Sequence, residues 1–382
     1  MSLLPTLIAA SVAAGAAAVP DDAELLASVL GGYSAFARET YSACTEYARG
    51  LHDEIDRFLA SPDEEGLQRA RRAWLGGRRV FGRTEVLRFY GGPIDDAVVG
   101  VETFLNAWPL DEAYIDGVRG REDSGIINDP VRFPNLSTTL LTLLNERGGE
   151  ANVSIGWHAI EFLLWGQDHD PSGPGNRSAE AFVDGATPHA ARRREYLALC
   201  ADLLVEHHAQ VEEAWSGAPE SYAAAFLSEP ALGLRRALAG AIILSGFEMA
   251  GERLAVVYET GDQEDEHSCF SDNTHVDFLA DQEGVLAIWF GESRGGQGPG
   301  LLAIAERRSP EFAEVVSRRL LDTYDALGVI PVPFDQAVSL DTGETEGRKA
   351  VLRALICLEQ QAEALSALAL DLGFEIALSP GG

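Results

Sequence analysis

Residues 152–168 read NVSIGWHAIEFLLWGQD and place two ionisable side chains, His158 and Glu161, inside a strongly apolar run. In an α-helix, side chains three or four residues apart lie on the same face. The segment therefore predicts a helix that carries Ser154, His158, Glu161 and Trp165 in one line. A buried carboxylate is costly unless it is paired, hydrogen-bonded or bound to a metal, so this line requires a physical reason.

The sequence on both sides of this segment is patterned for helices. Apolar residues recur at helical spacing through residues 22–60, and Ser61-Pro62 supplies an N-cap and a first-turn proline for a second helix that should run to about Phe89. Further helices are predicted at residues 135–146, 188–215, 232–259, 310–327 and 346–372. Alternation of β-branched and aromatic residues is scarce, so we predict an all-α fold.

The chain of 382 residues is long enough for two or three domains. We predict two helical-bundle domains, residues 22–185 and 186–382, and the similar order of helices in the two halves suggests an ancient duplication. Residues 1–21 form a signal-peptide-like leader with small residues before its end, although no basic residue precedes its apolar part. We therefore expect a periplasmic or cell-surface protein. No later segment has the roughly 18 apolar residues of a membrane span, so the mature chain should contain none.

Composition excludes several classes of function. The chain has 29 Lys and Arg against 60 Asp and Glu, a net charge of −31, which argues against nucleic acid or an anionic membrane surface as a partner. The same charge is compatible with cations as ligands, or with solubility alone. The four cysteines are far apart and form no CxxC pair, and HExxH, Walker A and GxSxG motifs are absent.

His158-x-x-Glu161 is the strongest candidate for a functional site. An imidazole and a carboxylate one helical turn apart can share a metal ion, as Glu-x-x-His pairs do in helical di-iron bundles. The alternative is a core histidine that is hydrogen-bonded to its own glutamate. Glu85 is the predicted third ligand, with Arg78 or Arg88 orienting it; its alternative is an exposed salt-bridged helix face.

An acidic loop is predicted between Gly261 and Gly284. Its carboxylates suit hard cations, and His267 adds a nitrogen ligand for iron, zinc or copper, so Asp265 and His267 complete the predicted metal ligands. Glu248 and Glu252 on the preceding helix face the same side. The alternative is a solvated acidic loop that binds nothing.

The same residues carry a family resemblance. Gly156-x-His158-x-x-Glu161 followed by FLLWGQD resembles the signature of the imelysin family. Three further stretches are similar to its iron-regulated protein A-like branch: TEVLRF at 84–89, NAWPLDE at 106–112, and GER at 251–253 followed by EHSCFSDNTH at 266–275. The resemblance covers about residues 22–373. Trp157 stands where many relatives are expected to have tyrosine.

The resemblance implies an exported bacterial protein with two helical bundles and a link to iron acquisition. It also implies that Gly156, His158 and Glu161 mark the metal site, and the family is catalogued as metallopeptidases. Our leading hypothesis is a metal-binding protein of an iron-uptake system, with iron favoured, zinc as the other candidate, and membrane components of iron uptake as partners. A zinc metallopeptidase is the second hypothesis, although no general base independent of Glu161 is evident. A non-catalytic protein-binding bundle is the third.

Overall fold

A computed structural model describes residues 22–293, 296–340, 343 and 345–378. The predicted leader, residues 1–21, lies outside the described residues. The prediction of an all-α fold is confirmed, because almost every regular element is a helix and the described strands are a single two-residue pair. None of the described helices has both the length and the apolar character needed to cross a membrane.

From residue 22 onward, where the first half is described, it contains eight α-helices: α1 (Asp22–Ala60), α2 (Glu64–Gly82), α3 (Glu102–Leu105), α4 (Glu112–Ile115), α5 (Gly125–Asn128), α6 (Thr138–Leu144), α7 (Trp157–Trp165) and α8 (Ala190–Ala214). The second half continues with α9 (Tyr222–Ser228), α10 (Pro230–Ile243), α11 (Val256–Thr260), α12 (Thr274–Phe290), α13 (Leu301–Arg308), α14 (Pro310–Gly328), α15 (Phe334–Val338) and α16 (Glu346–Asp371). Short 3₁₀ helices lie at Glu85–Leu87, Ala179–Phe182, Gln263–Asp265 and Cys269–Ser271. A π-helix spans Leu244–Ala255, and β1 (Glu292–Ser293) pairs with β2 (Gly296–Gln297) in the glycine-rich segment.

The second helix differs from its prediction at both ends. Its N-cap is Asp63 rather than Ser61, because the Asp63 carboxylate accepts a hydrogen bond of 2.6 Å from the backbone of Gly66. Helix α2 ends at Gly82, well before Phe89, and the chain continues as the 3₁₀ helix Glu85–Leu87. The local sequence is compatible with more helix, so the cause lies in packing against α10 and α12.

Two glycines show how closely those helices approach this turn. A Cβ atom at Gly240 on α10 would lie 2.2 Å from the carbonyl oxygen of Val86, and one at Gly284 on α12 would lie 2.5 Å from that of Arg83. Both distances are far shorter than van der Waals contact, so only glycine admits the backbone at these two points. The turn is therefore clamped between α10 and α12, and this clamp holds Glu85 in the interior.

The predicted helix 232–259 is one continuous helical rod from α10 through the π-helix to α11, but its middle is not α-helical. The wider π turns occupy Leu244–Ala255, which includes Glu248 and Arg253. π-Helical segments are rare and often occur at functional sites. The π-helix therefore marks the region of Glu248 as a candidate functional region, as the sequence pattern also does.

The acidic loop is shorter than predicted. Helix α12 begins at Thr274, ten residues before the expected boundary at Gly284. The sequence pattern was obscured by Asp277 and Asp281, which resemble loop residues but are buried on α12 beside arginines.

Helix packing joins the two halves closely. Helix α12 packs on α2, and α10 packs on α1. Within the halves, α1 packs along α2 and α8, and α16 packs on α14 and the π-helix. The predicted domain boundary between residues 185 and 186, and the suggested duplication, stay predictions.

Candidate metal centre

Helix α7 presents His158 and Glu161 in the interior because every one of its residues is buried. Gly156 begins the helix with a φ of 93°, and a Cβ atom there would lie 2.6 Å from the carbonyl oxygen of Leu105. Any other residue would push α7 away from the segment before Trp108. The glycine of the Gly-x-His-x-x-Glu pattern therefore fixes how deep the histidine and glutamate lie.

Glu161 is held by hydrogen bonds at both oxygens. Nδ1 of His158 lies 2.9 Å from Oε2, while the backbone N–H and the hydroxyl of Ser271 donate to Oε1 at 3.0 and 2.7 Å. Complete burial raises the pKa of Glu161 to about 8, and the two donors of Ser271 oppose that rise. The segment before α12 thus completes the environment of the α7 pair.

His158 has one nitrogen without a partner. Its Nε2 is buried and makes no hydrogen bond with any described residue. Burial, together with the nearby Arg78 and His267, holds the pKa of His158 well below its usual range, so the ring is neutral. When Nδ1 carries the hydrogen and donates it to Glu161, Nε2 offers a lone pair, which is the form that binds a metal.

His267 lies directly beside His158, with ring centroids 4.8 Å apart, and Trp108 covers both rings. Nδ1 of His267 is 3.2 Å from the Asp277 carboxylate and 3.0 Å from a guanidinium nitrogen of Arg78. Burial and the arginines hold its pKa well below the usual range. The structure therefore brings together three of the predicted ligands, His158, Glu161 and His267.

Glu85 lies in an arginine cluster instead of against the histidines. Its carboxylate pairs with Arg88 at 2.8 Å and with Arg253. Burial alone would raise its pKa, but these two guanidiniums outweigh burial and lower it. The connection to His267 is indirect and runs through Asn106 and Arg78. In this structure Glu85 is the anionic partner of Arg88 and Arg253. To bind a metal ion beside the histidines, its carboxylate would have to break these ion pairs.

Asp265 lies on the 3₁₀ helix Gln263–Asp265 and is half-buried. Within the described residues, no hydrogen bond or ion pair joins its side chain to His158 or His267. It contributes to the negative charge that, after burial, raises the pKa of its neighbour Glu264 to about 7.

Sequence reasoning missed the buried ion pairs that surround the histidines. Arg78 pairs with Asp277 at 3.1 Å, and Arg253 pairs with Asp281 at 2.9 Å. The sequence contains a pattern that could have revealed them. Asp277 and Asp281 lie one helical turn apart in an apolar segment, just as His158 and Glu161 lie one turn apart in the apolar segment of α7. The pairs also balance the two arginines, so the positive charge near the histidines is compensated.

A cleft of about 320 Å³ gives access to His267. Trp108 and Arg253 line it together with Glu248 and Glu252, the two glutamates predicted to serve the site. Its acidic rim favours entry of a cation. His158 does not line the cleft and lies behind two residues that do, His267 and Trp108.

The types of donor suit a divalent transition metal, although within the described residues the donor atoms of His158, Glu161 and His267 do not all converge within 4.8 Å of one another. Imidazole nitrogens with one carboxylate suit iron or zinc better than calcium or magnesium. Three protein ligands leave positions for water or for a ligand that arrives with the metal.

Comparison with known proteins identifies the family. The imelysin family profile matches residues 37–365. The fold is similar to a crystal structure of an iron-regulated protein A precursor from Parabacteroides distasonis, with a TM-score of 0.72, 18% identity, and coverage of 93% of this chain and 97% of that one. It is also similar to an imelysin-like protein from Psychrobacter arcticum, with a TM-score of 0.66, 16% identity, and coverage of 95% and 100%. Curated protein sequences give no significant match. The predicted resemblance is confirmed, and the chain belongs to the imelysin family.

Proposed function

We propose that this protein is an exported metal-binding protein that takes up iron between His158 and His267 and acts in bacterial iron acquisition. The observation that carries the proposal is Nε2 of His158, a buried nitrogen that no described residue hydrogen-bonds, beside a second neutral imidazole. A buried polar atom without a partner costs free energy, and a bound metal ion would supply the missing partner. Iron is favoured because a similar structure is named as an iron-regulated protein.

His158, His267 and Glu161 are the proposed ligands. Glu161 reaches an ion by exchanging one of its hydrogen bonds from His158 or Ser271 for a metal bond. We assign Glu85 to holding Arg253 and Arg88 in place, and we keep it and Asp265 as ligands only for a rearranged, metal-bound form.

An exported location would suit this role, because an acidic cleft outside the cytoplasm would meet cations before membrane transporters do. We propose that the protein lies in the periplasm or at the cell surface and passes iron to membrane components of an uptake system. Cell fractionation of the full chain with a C-terminal tag tests the location. Recovery only in the cytoplasmic fraction would contradict it.

A metallopeptidase is the less favoured alternative. Peptide hydrolysis at a metal needs a general base near the metal-bound water. Both oxygens of Glu161 are engaged by His158 and Ser271. With Glu161 as a ligand, none of the three proposed metal-binding residues remains to act as that base.

Anaerobic titration of metal-free protein with Fe(II) and with Zn(II) tests the proposal. We expect one equivalent of Fe(II) to bind, and His158→Ala to weaken binding at least about tenfold, a ligand loss on the order of 1.4 kcal/mol or more. His169→Ala is the matched control, since His169 is an exposed histidine outside the site.

The possible outcomes separate the three functions. Unchanged metal affinity in both His158→Ala and Glu161→Ala would remove the metal-binding hypothesis at this site and leave the protein-binding bundle. Cleavage of an unfolded protein substrate that is lost with a chelator and in His158→Ala would establish the peptidase instead.

A further inference from the structure

A second group of acidic side chains lies outside the histidine site. Oxygen atoms of Asp168, Asp272 and Asp335 all lie within 4.8 Å of one another. The three residues come from separate segments: the loop after α7, the turn before α12, and helix α15. Each side chain is at least nine-tenths buried.

Glu266 adds a fourth carboxyl group and an independent sign of a missing ligand. It is fully buried, and neither of its oxygens receives a hydrogen bond from a described residue. Its carboxyl faces that of Asp335, whose two oxygens also make no hydrogen bond with any described residue. The Thr274 hydroxyl lies beside Glu266 and opposes the rise in its pKa that burial causes. Within the described residues, no arginine or lysine forms an ion pair with any of these four acids. Four buried carboxyl groups without a cation are strongly unfavourable as anions.

The geometry points to a binding site for one hard divalent cation, of the calcium class, between Asp168, Asp272 and Asp335, with Glu266 beside Asp335 as a further carboxyl group. Calcium–oxygen bonds are roughly 2.3–2.6 Å, so oxygens on opposite sides of one ion lie up to about 5 Å apart. The observed oxygens lie within 4.8 Å of one another, close enough for one ion to contact them all. Carboxylates supplied by several chain segments suit calcium, which takes about 6–8 oxygen ligands in flexible geometry, whereas magnesium usually keeps several waters and binds one or two carboxylates. An all-oxygen donor set also selects against the transition metals proposed for the histidines.

Such an ion would tie three segments around the histidine site. Asp168 follows shortly after α7, which carries His158 and Glu161, and Asp272 directly follows Ser271, the residue that donates to Glu161. Cation binding would therefore fix Ser271 relative to α7. This inference does not depend on iron binding at His158.

Calcium titration of chelator-treated full chain by calorimetry and thermal melting tests the site. We expect one equivalent of calcium to bind at least about tenfold more tightly than magnesium and to raise the melting temperature by several degrees. Asp335→Asn and Glu266→Gln should each weaken calcium binding at least tenfold. Glu259→Gln, which removes an exposed acid of the same charge, should not.

Two results would overturn the inference. In the first, calcium gives no saturable binding to the wild type, and Glu266→Gln or Asp335→Asn stabilises the protein, as expected if the carboxyls only share protons. In the second, calcium binds but neither substitution weakens it, which would place the ion elsewhere. His158→Ala should retain calcium binding, so failure of the iron site is distinguishable. If Asp335→Asn does not fold, the wild-type titration and Glu266→Gln decide.

Discussion

At the residue scale, the interior is notable for neutral histidines. His158, His207, His208 and His267 are all at least nine-tenths buried, and burial lowers the pKa of each. Among these four, His158 and His267 are in direct ring contact with each other, and His267 lines a cleft to solvent. His208 instead accepts a hydrogen bond of 3.2 Å from the indole of Trp157, so it serves the core.

His208 should make stability depend on pH. Burial lowers its pKa from 6.5 to about 3, so below pH 6.5 the unfolded chain binds a proton that the folded chain refuses. Stability is therefore full above pH 6.5 and falls as the pH drops from there towards 3. At pH 5 the loss from this residue is about 2 kcal/mol.

Urea denaturation between pH 7 and pH 5 measures this contribution. His208→Gln keeps an acceptor for Trp157 but cannot titrate, so its stability should fall by about 2 kcal/mol less than that of the wild type. Exposed His169→Gln is the control and should follow the wild type. Equal pH dependence in His208→Gln and wild type would contradict the assignment.

At the element scale, the 3₁₀ turn after α2 decides where the charged residues lie. Its backbone is held between α10 and α12 through the close approaches at Gly240 and Gly284. Because the chain leaves the α-helical path at Gly82, Glu85 turns inward to Arg253 and Arg88. A regular helix to Phe89 would have placed these side chains differently.

Gly240→Ala should therefore destabilise the protein. Its methyl group would lie 2.2 Å from the carbonyl oxygen of Val86, so the backbone must move, at a cost of about 1–3 kcal/mol. Gly31→Ala is the matched control in α1, since nothing lies within 4 Å of its added carbon and helix propensity predicts a gain of up to roughly 1 kcal/mol. Chemical denaturation of both variants measures the difference; equal stability would contradict the clamp.

At the scale of the whole molecule, buried ion pairs connect the two halves of the chain. Arg253 on the π-helix pairs with Glu85 from the first half and Asp281 from α12, and Arg78 on α2 pairs with Asp277. These pairs lie beside the histidines and next to the cleft. The candidate metal centre is thus a product of the interface between the halves.

Arg253→Met should lower the free energy of unfolding, because Arg253 pairs with acids from both halves of the chain. It leaves Glu85 and Asp281 buried without their shared cation, and we expect a loss of about 3–5 kcal/mol in the free energy of unfolding, measured by urea denaturation. Arg318→Met removes an exposed arginine paired with Glu314 and should cost less than about 1 kcal/mol.

A second substitution checks the cause. Adding Asp281→Asn to Arg253→Met should recover part of the loss, because Asp281 pairs with no second arginine among the described residues, whereas Glu85 keeps its pair with Arg88. Losses that simply add in the double variant would show that the two residues act independently.

The sequence by itself determined the helical class, most of the long helices, the family and the His158–Glu161 pair. These follow from local periodicity and from a spacing of three residues within one helix, which need no knowledge of distant contacts. Only the tertiary structure decided that His267 lies against His158, that Glu85 pairs with arginines, that α2 ends at Gly82, and that Asp168, Asp272 and Asp335 converge. The physical reason is that each of these results depends on contacts between segments far apart in the chain, where packing overrides local preference. Residues 152–168 thus supplied half of the candidate site, and the fold supplied the other half.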